Sequence, residues 1–231
     1  MIEKQRQFAL FGNFKHITFD AIVESDIRKM FDMLVNSSID IPDITNTTQP
    51  SFQMNPAARP LLQSKDGTQS IFVGTSRIHI QQQDDMCEGY EAFMENAIAL
   101  CTELYTNFDI KPYRLAYNGV FANFDNNTTS HLYDKLFNTT EFTPKKQPDE
   151  WSVMTNNASK DQKLDATINH VLSIVRQENI LDNSGTPIGP LTITYDCNTS
   201  LSSSKIYSLE DCKRFSTISK DFRESSIKLC N

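Results

Sequence analysis

The feature that most constrains the fold is an apolar stripe between residues 88 and 108. Its members recur at intervals of three and four residues, which places them on one face of a helix. They are Tyr90, Phe93, Met94, Ala97, Cys101, Leu104, Tyr105 and Phe108. Pro112 follows the stripe and cannot continue a helix. The pattern therefore predicts a long helix whose apolar face packs against the core.

Two further helices are predicted by the same criterion. The run Ser208-Leu209-Glu210-Asp211 resembles a capping box and predicts the start of a final helix over about 208–230. Its inward positions are Cys212, Phe215, Ile218, Phe222 and Leu229. A shorter N-terminal helix over about 25–36 is predicted from Ser25 as its cap and from the spacing of Ile27, Met30, Phe31 and Leu34.

Alternating apolar residues predict the strands. They lie at 16–23, 69–73, 76–81, 113–117, 164–175 and 191–195. The last two are expected to form a hairpin, because residues 183–187 between them have the composition of a turn. The proline-containing chain over 36–69 is interpreted as a loop with a short edge strand at 51–54, or as an arm that touches a partner. The run 143–162 is interpreted as mostly loop, and 130–137 as a short helix.

These elements define the expected fold class. It is α+β, with mostly antiparallel sheet packed against two long helices, at about 88–108 and 208–230, and the shorter helix at about 25–36. The chain of 231 residues is expected to form a single domain, 1–231, or two fused α+β halves of about 1–125 and 126–231.

Charge and cysteine content narrow the class of partner and compartment. The acidic net charge of −7 opposes binding to phosphate backbones or to anionic lipid, because such partners are held mainly by lysine and arginine. The first residues contain too short an apolar run for a signal peptide, so a cytoplasmic location is expected. Five cysteines, an odd number without close pairs, indicate free thiols.

No recognisable catalytic, metal-binding or cofactor motif is present in the sequence. The seven glycines are scattered, which excludes a phosphate-binding loop, and the four histidines stand alone. One polar constellation remains as a candidate site: Arg114 and Asn118 on one strand, with Asp196 near the end of another. If the two strands are neighbours, these side chains line a shared polar site; the alternative is a structural ion-pair cluster that closes the sheet.

Several stretches resemble a sporadically distributed family of uncharacterised bacterial proteins. The matching residues are 70–80, Tyr90, Phe93, 114–118, 193–196, Phe215 and Phe222. The resemblance implies a gene neighbourhood of the mobile or defence-related kind. It brings no established activity and no catalytic residues.

Two functional hypotheses follow. The first is a noncatalytic protein-interaction or assembly subunit, a component of a bacterial defence or other multi-gene system, whose partner is the product of a neighbouring gene or a second copy of the chain. The second is an enzyme or small-ligand sensor whose site is assembled from distant residues, with Arg114, Asn118 and Asp196 as its first candidates. No cofactor, metal, membrane or nucleic-acid partner is expected.

Overall fold

The computed structural model describes residues 2–27, 34–39, 58–87, 89–123, 126–137, 150–177, 191–201 and 205–230. Nine strands and four helices lie in these ranges. The strands are β1 (Ile2–Phe11), β2 (Leu34–Ile39), β3 (Ala58–Gln63), β4 (Gln69–Val73), β5 (Arg77–Gln83), β6 (Arg114–Asn123), β7 (Trp151–Asp161), β8 (Ala166–Arg176) and β9 (Leu191–Thr199). The helices are α1 (Phe19–Glu24), α2 (Tyr90–Phe108), α3 (Asn126–Leu136) and α4 (Leu209–Cys230).

The nine strands form one sheet in the order β2-β3-β4-β5-β1-β6-β9-β8-β7. Every pairing in it is antiparallel. The α+β class with an antiparallel sheet is thus confirmed.

The element order along the chain occurs twice. A strand at the middle of the sheet is followed by a short helix, then by a run of antiparallel strands that returns to the side of the first strand, and then by a long helix. The first such run starts with β1 and the second with β6. β1 and β6 pair with each other from Ile2–Ala122 to Phe11–Arg114, with one irregularity between Glu3 and Gln5.

The core lies between the helices and one face of the sheet. Side chains that alternate along the central strands, such as Phe8 and Leu10 on β1, meet the apolar stripe of α2 there. On α2 the buried residues are Phe93, Met94, Ala97, Leu100, Cys101 and Leu104. Phe215 of α4 packs edge to face on Phe8, with ring centroids 6.1 Å apart. The periodic stripe therefore predicted the right face of α2.

The first predicted strand is wrong. Residues Phe19–Glu24 form α1, with Thr18 as its N-cap, where the Oγ1 atom accepts a hydrogen bond from the Ala21 amide at 3.5 Å. The first strand is instead β1, over Ile2–Phe11. Its alternation was hard to recognise because two of the side chains that it buries, Glu3 and Arg6, are charged.

The N-terminal helix predicted over 25–36 is also wrong where the structure describes it. Ser25 closes α1 as its C-cap instead of opening a helix, and Leu34–Ile39 is the edge strand β2. Residues 28–33 lie outside the described residues. Local apolar spacing suggested a helix here, whereas pairing with β3 makes the end of this segment extended.

Two segments that were interpreted as loop contain strands. Ala58–Gln63 forms β3, between β2 and β4, and Trp151–Asp161 forms β7 at the end of the sheet. β7 is polar and mostly exposed, so its sequence lacks the alternation that marks a half-buried strand. The strand predicted at 51–54 and the turn at 183–187 lie outside the described residues.

The cap of the final helix is confirmed. The Ser208 amide donates to Asp211 Oδ2 at 2.8 Å, and the Asp211 amide donates to Ser208 Oγ at 3.2 Å. This reciprocal pair satisfies two backbone donors at the start of α4. The hairpin partners predicted at 164–175 and 191–195 pair as β8 and β9.

Candidate functional site

The sheet face opposite the core carries none of the described helices, and we call it the open face. Its side chains come from alternate positions of the strands, for example Gln7 of β1, Asn118 of β6 and Asp196 of β9. On β5, β6, β9 and on β1 from Gln5 onward, the described side chains of this face that are charged at neutral pH are Arg77, Arg114 and Asp196. The protein's excess of acidic groups therefore lies elsewhere.

The structure brings two of the three candidate residues together. Asn118 and Asp196 are directly opposite each other on the neighbouring strands β6 and β9. Arg114 is on the same face but four residues from Asn118, about 13 Å along an extended strand. Its guanidinium carbon lies 5.1 Å from the ring centroid of Phe11, its cross-strand neighbour on β1. Arg114 thus stacks on an aromatic ring and does not join the Asn118–Asp196 pair.

Side-chain amides form hydrogen-bonded pairs on both sides of Asn118. On one side Gln7 Nε2 donates to Gln81 Oε1 at 3.1 Å, and Gln81 Nε2 donates to Gln83 Oε1 at 3.3 Å. On the other side Asn169 Nδ2 donates to Asn198 Oδ1 at 3.1 Å, and Asn198 Nδ2 donates to Asp196 Oδ1, also at 3.1 Å. These contacts fix the rotamers of several hydrogen-bonding groups on four strands, in two groups that flank β6: β5 with β1, and β9 with β8.

His79 lies on the same face, between Phe72 of β4 and Ala9 of β1. Its ring is 5.6 Å from that of Phe72, and its Nδ1 atom makes no hydrogen bond with the described residues. Burial, and then the charge of Arg77, lower the pKa of His79 to about 4. The imidazole is therefore neutral at physiological pH.

A second polar group lies on the opposite face, under the helices, and we call it the Glu3 cluster. It consists of Glu3, Arg6, Tyr117, Tyr195 and Arg223. Arg6 is fully buried and the Glu3 side chain is 3% exposed. No local pattern in the sequence indicates this cluster, because β1, β6, β9 and α4 contribute its members from distant positions.

Both oxygens of the Glu3 carboxylate are occupied. Arg223 donates from Nη2 to Oε2 at 2.6 Å and from Nε to Oε1 at 3.2 Å. Arg6 Nη1 lies 3.3 Å from Oε2, and the Tyr195 hydroxyl donates to Oε1 at 2.6 Å. Arg6 is held in addition by Gln82, whose Oε1 atom accepts from Arg6 Nε at 2.9 Å.

Aromatic rings surround the two guanidinium groups. The Arg223 guanidinium carbon is 4.2 Å from the centroid of Tyr90, and that of Arg6 is 5.3 Å from the centroid of Phe93. Burial opposes the charge of Arg223, but hydrogen bonds and attraction from Glu3 outweigh it and raise its pKa. Burial raises the pKa of Tyr195, so the tyrosine is a neutral donor to Glu3.

At Gly119 the backbone of β6 lies close to the Tyr195 side chain of this cluster. A Cβ atom added there would overlap the Tyr195 hydroxyl and ring. Gly119 therefore leaves the space that Tyr195 needs to reach Glu3. A carboxylate that is saturated by two guanidiniums and a tyrosine has no lone pair directed at a reactant, so the cluster's role is to join β1 to α4 across the core.

The other candidate nucleophiles and ligands are dispersed. Within the described chain no group of three or more histidine, cysteine, aspartate or glutamate side chains could hold a metal ion. Cys87, Cys101, Cys197 and Cys212 are buried free thiols, as the sequence indicated. Burial raises the pKa of Cys87 to about 11, which leaves its thiol protonated and unreactive.

A cleft of about 350 Å³ lies between the β7–β8 end of the sheet and α4. His170 lines it and packs edge to face on Phe222, with ring centroids 4.6 Å apart. Arg214 Nη2 donates to Asp161 Oδ2 at 2.8 Å beside it. Burial lowers the pKa of His170, and the Arg214 hydrogen bond lowers the pKa of Asp161. The ion pair links the end of β7 to α4.

Comparisons with known proteins assign neither a family nor a function to the chain. No protein-family model matches the chain, and a search of curated proteins finds no match. Among the described residues, none of the helices combines the length and the apolar character that crossing a membrane requires.

Proposed function

We propose that this protein is a noncatalytic interaction or assembly subunit, and that the open face is where it binds another protein. The observation that carries the proposal is the amide network on a sheet face that none of the described helices covers. Gln7, Gln81, Asn169 and Asn198 are already held in fixed rotamers by one another. Binding would therefore cost less side-chain entropy than it would on a face of free polar chains.

The charge of the open face supports a protein as the partner. Centres of protein interfaces are depleted in charged residues, and the central strands carry only Arg77, Arg114 and Asp196 among their described open-face side chains. A nucleic-acid surface would need a dense array of cations to neutralise phosphates. The partner that this chemistry favours is a protein with an uncharged, hydrogen-bonding surface.

The resemblance to sporadically distributed bacterial proteins supports the setting that we propose. In this setting the partner is the product of a neighbouring gene, in a defence or other multi-gene system, and the complex acts in the cytoplasm. The expected result of co-expression with each neighbouring gene product is a stable complex in size-exclusion chromatography with light scattering. Failure of every such pair to co-elute would contradict the proposal.

A variant of the open face tests where the partner binds. Asn118→Arg places a long cation at the centre of the face, and it should weaken the complex about tenfold or more, since misplaced polar or charged groups in interfaces cost a few kcal/mol. Thr106→Arg introduces the same side chain at an exposed position of α2 and is the matched control. Equal weakening by both variants would mean that the open face is not the contact surface.

The second candidate function is a small-ligand sensor or enzyme, which the direct pairing of Asn118 with Asp196 favours. Because Arg114 lies away from this pair, Asp196→Ala distinguishes the second candidate from the first. Loss of ligand binding or activity with an unchanged melting temperature would support the second candidate, whereas a lowered melting temperature alone would indicate a structural role. Salt-dependent retention of the protein on DNA or RNA would contradict both candidates.

A further inference from the structure

The last strand of the sheet, β7, has one edge that pairs with no described strand. It runs for 11 residues, Trp151–Asp161, and all of them are in register with β8 without a bulge. Such an edge presents a row of backbone donors and acceptors to any extended chain of matching length. β2, at the opposite end of the sheet, has 6 residues.

β7 lacks the features by which proteins usually protect an exposed edge. From Trp151 to Ser159 the strand contains no charged residue, no proline and no glycine. Its side chains from Met154 to Lys160 are exposed on both faces of the sheet, and Met154 is 72% exposed. The edge is long, free of bulges and uncharged over 151–159, which are the properties of a strand that pairs with another.

We propose that β7 pairs antiparallel with β7 of a second copy of this chain and joins the two sheets across a twofold axis. Directly opposed residues of an antiparallel pair point to the same face, so positions of equal parity must meet. The register centred on Asn156 is the one in which all 11 residues of the strand find a partner. In it, residue 151 opposes residue 161 of the second copy, and Asn156 opposes its own equivalent.

The side chains of β7 complement each other in this register. Two of the larger residues oppose smaller ones in this register, since Met154 meets Ala158 of the second copy and Val153 meets its Ser159. Because a twofold axis relates the two strands, each of these contacts occurs twice, once from each copy. The same surface serves both copies, as an isologous interface requires.

The charges at the ends of the strand are also compatible with self-pairing. The chain has a net charge of −7, so two copies repel each other at long range. In the proposed register, however, no like charges are directly opposed, since Lys160 faces Ser152 of the second copy and Asp161 faces its Trp151. Lys160, which is exposed, lies diagonal to the second copy's Glu150, within reach of a long side chain.

Sedimentation equilibrium of the full chain over about 1 to 100 µM tests the proposal, because a pair of 11-residue strands is expected to associate in the micromolar range. The wild-type chain should form a dimer. Asn156→Lys should raise the dissociation constant about tenfold or more, because it places two like charges at the twofold axis. Thr106→Lys, on the exposed side of α2, should leave the dissociation constant unchanged.

Mixing two charged variants shows whether the loss of the dimer comes from charge repulsion or from a folding defect. Asn156→Lys and Asn156→Asp should each be mainly monomeric, and mixing them should restore the dimer, because opposite charges then face each other. The proposal is overturned by a wild-type chain that stays monomeric throughout the range. A dimer that Asn156→Lys does not weaken, or variants that do not recover on mixing, would overturn it equally. The readout needs no second protein, so it is independent of the function proposed for the open face.

Discussion

At the scale of single residues, the two faces of the sheet differ in the charged groups that they carry. Under the helices, the Glu3 carboxylate forms ion pairs with Arg6 and Arg223. On the open face, Asn118 and Asp196 face each other among amides. The buried charges serve the fold, and we propose that the partly buried amides of the open face serve binding.

Glu3→Gln should strongly destabilise the protein. The substitution removes the carboxylate from two buried guanidiniums, and breaking a buried ion pair in this way costs about 3–5 kcal/mol of unfolding free energy. Urea unfolding followed by circular dichroism measures the loss. Glu95→Gln, at an exposed position of α2, should change the stability by less than about 0.5 kcal/mol. Equal effects of the two substitutions would show that the cluster contributes little.

His79 should make stability depend on pH. Its pKa is about 4 in the folded protein against 6.5 for an unperturbed histidine, so between these values the unfolded chain binds a proton that the folded chain does not. Stability is therefore lost as the pH falls through this window, by about 3 kcal/mol in total for this group.

Urea unfolding at pH 7 and pH 4 checks this expectation. The wild-type protein should lose about 3 kcal/mol more than His79→Gln does over the same interval. The other titrating groups are shared by both proteins and cancel in the comparison. Parallel pH profiles for the two proteins would show that His79 keeps an ordinary pKa in the folded state.

At the scale of elements, local signals predicted the ends of the helices best where a side chain satisfies the backbone. Ser208 and Asp211 bond reciprocally at the start of α4, and Lys205 Nζ approaches Asp211 Oδ1 to 2.9 Å. These contacts join residues that are close in sequence, so a sequence pattern can reveal them.

Ser208→Ala should destabilise the protein by about 1 kcal/mol, because it leaves an amide at the start of α4 without its cap. Thermal or urea unfolding measures the change. Ser225→Ala is the matched control in the same helix, at an exposed position, where alanine should be neutral or slightly favourable. A cap variant as stable as the control would indicate that solvent replaces the cap at no cost.

The elements that the sequence did not predict owe their form to neighbours that are distant along the chain. β1 is a central strand because β5 and β6 flank it, although it buries Glu3 and Arg6. β7 is extended because it pairs along its whole length with β8. Residues 16–23 alternate as a strand would, yet Thr18 caps a helix there. Sheet pairing overrode the local pattern in β1 and β7, whereas in α1 the local cap at Thr18 prevailed over the alternation.

At the scale of the whole molecule, the repeated order of elements places β1 and β6 together at the middle of one sheet, with the long helices on one side. None of the described helices lies on the other side, and we propose that a partner binds there. The sequence predicted that Asn118 and Asp196 would meet if their strands were neighbours, and they do. It could not predict the surrounding amide network, because Gln7, Gln81 and Asn169 come from three other strands.

The most direct test of this account is to measure, for Asn118→Arg and Glu3→Gln, both the free energy of unfolding and the affinity for the co-expressed partner. Asn118→Arg should keep its stability within about 0.5 kcal/mol and lose affinity. Glu3→Gln should lose stability, and its folded fraction should bind the partner normally. An Asn118→Arg variant that binds the partner as tightly as the wild-type protein would contradict the account.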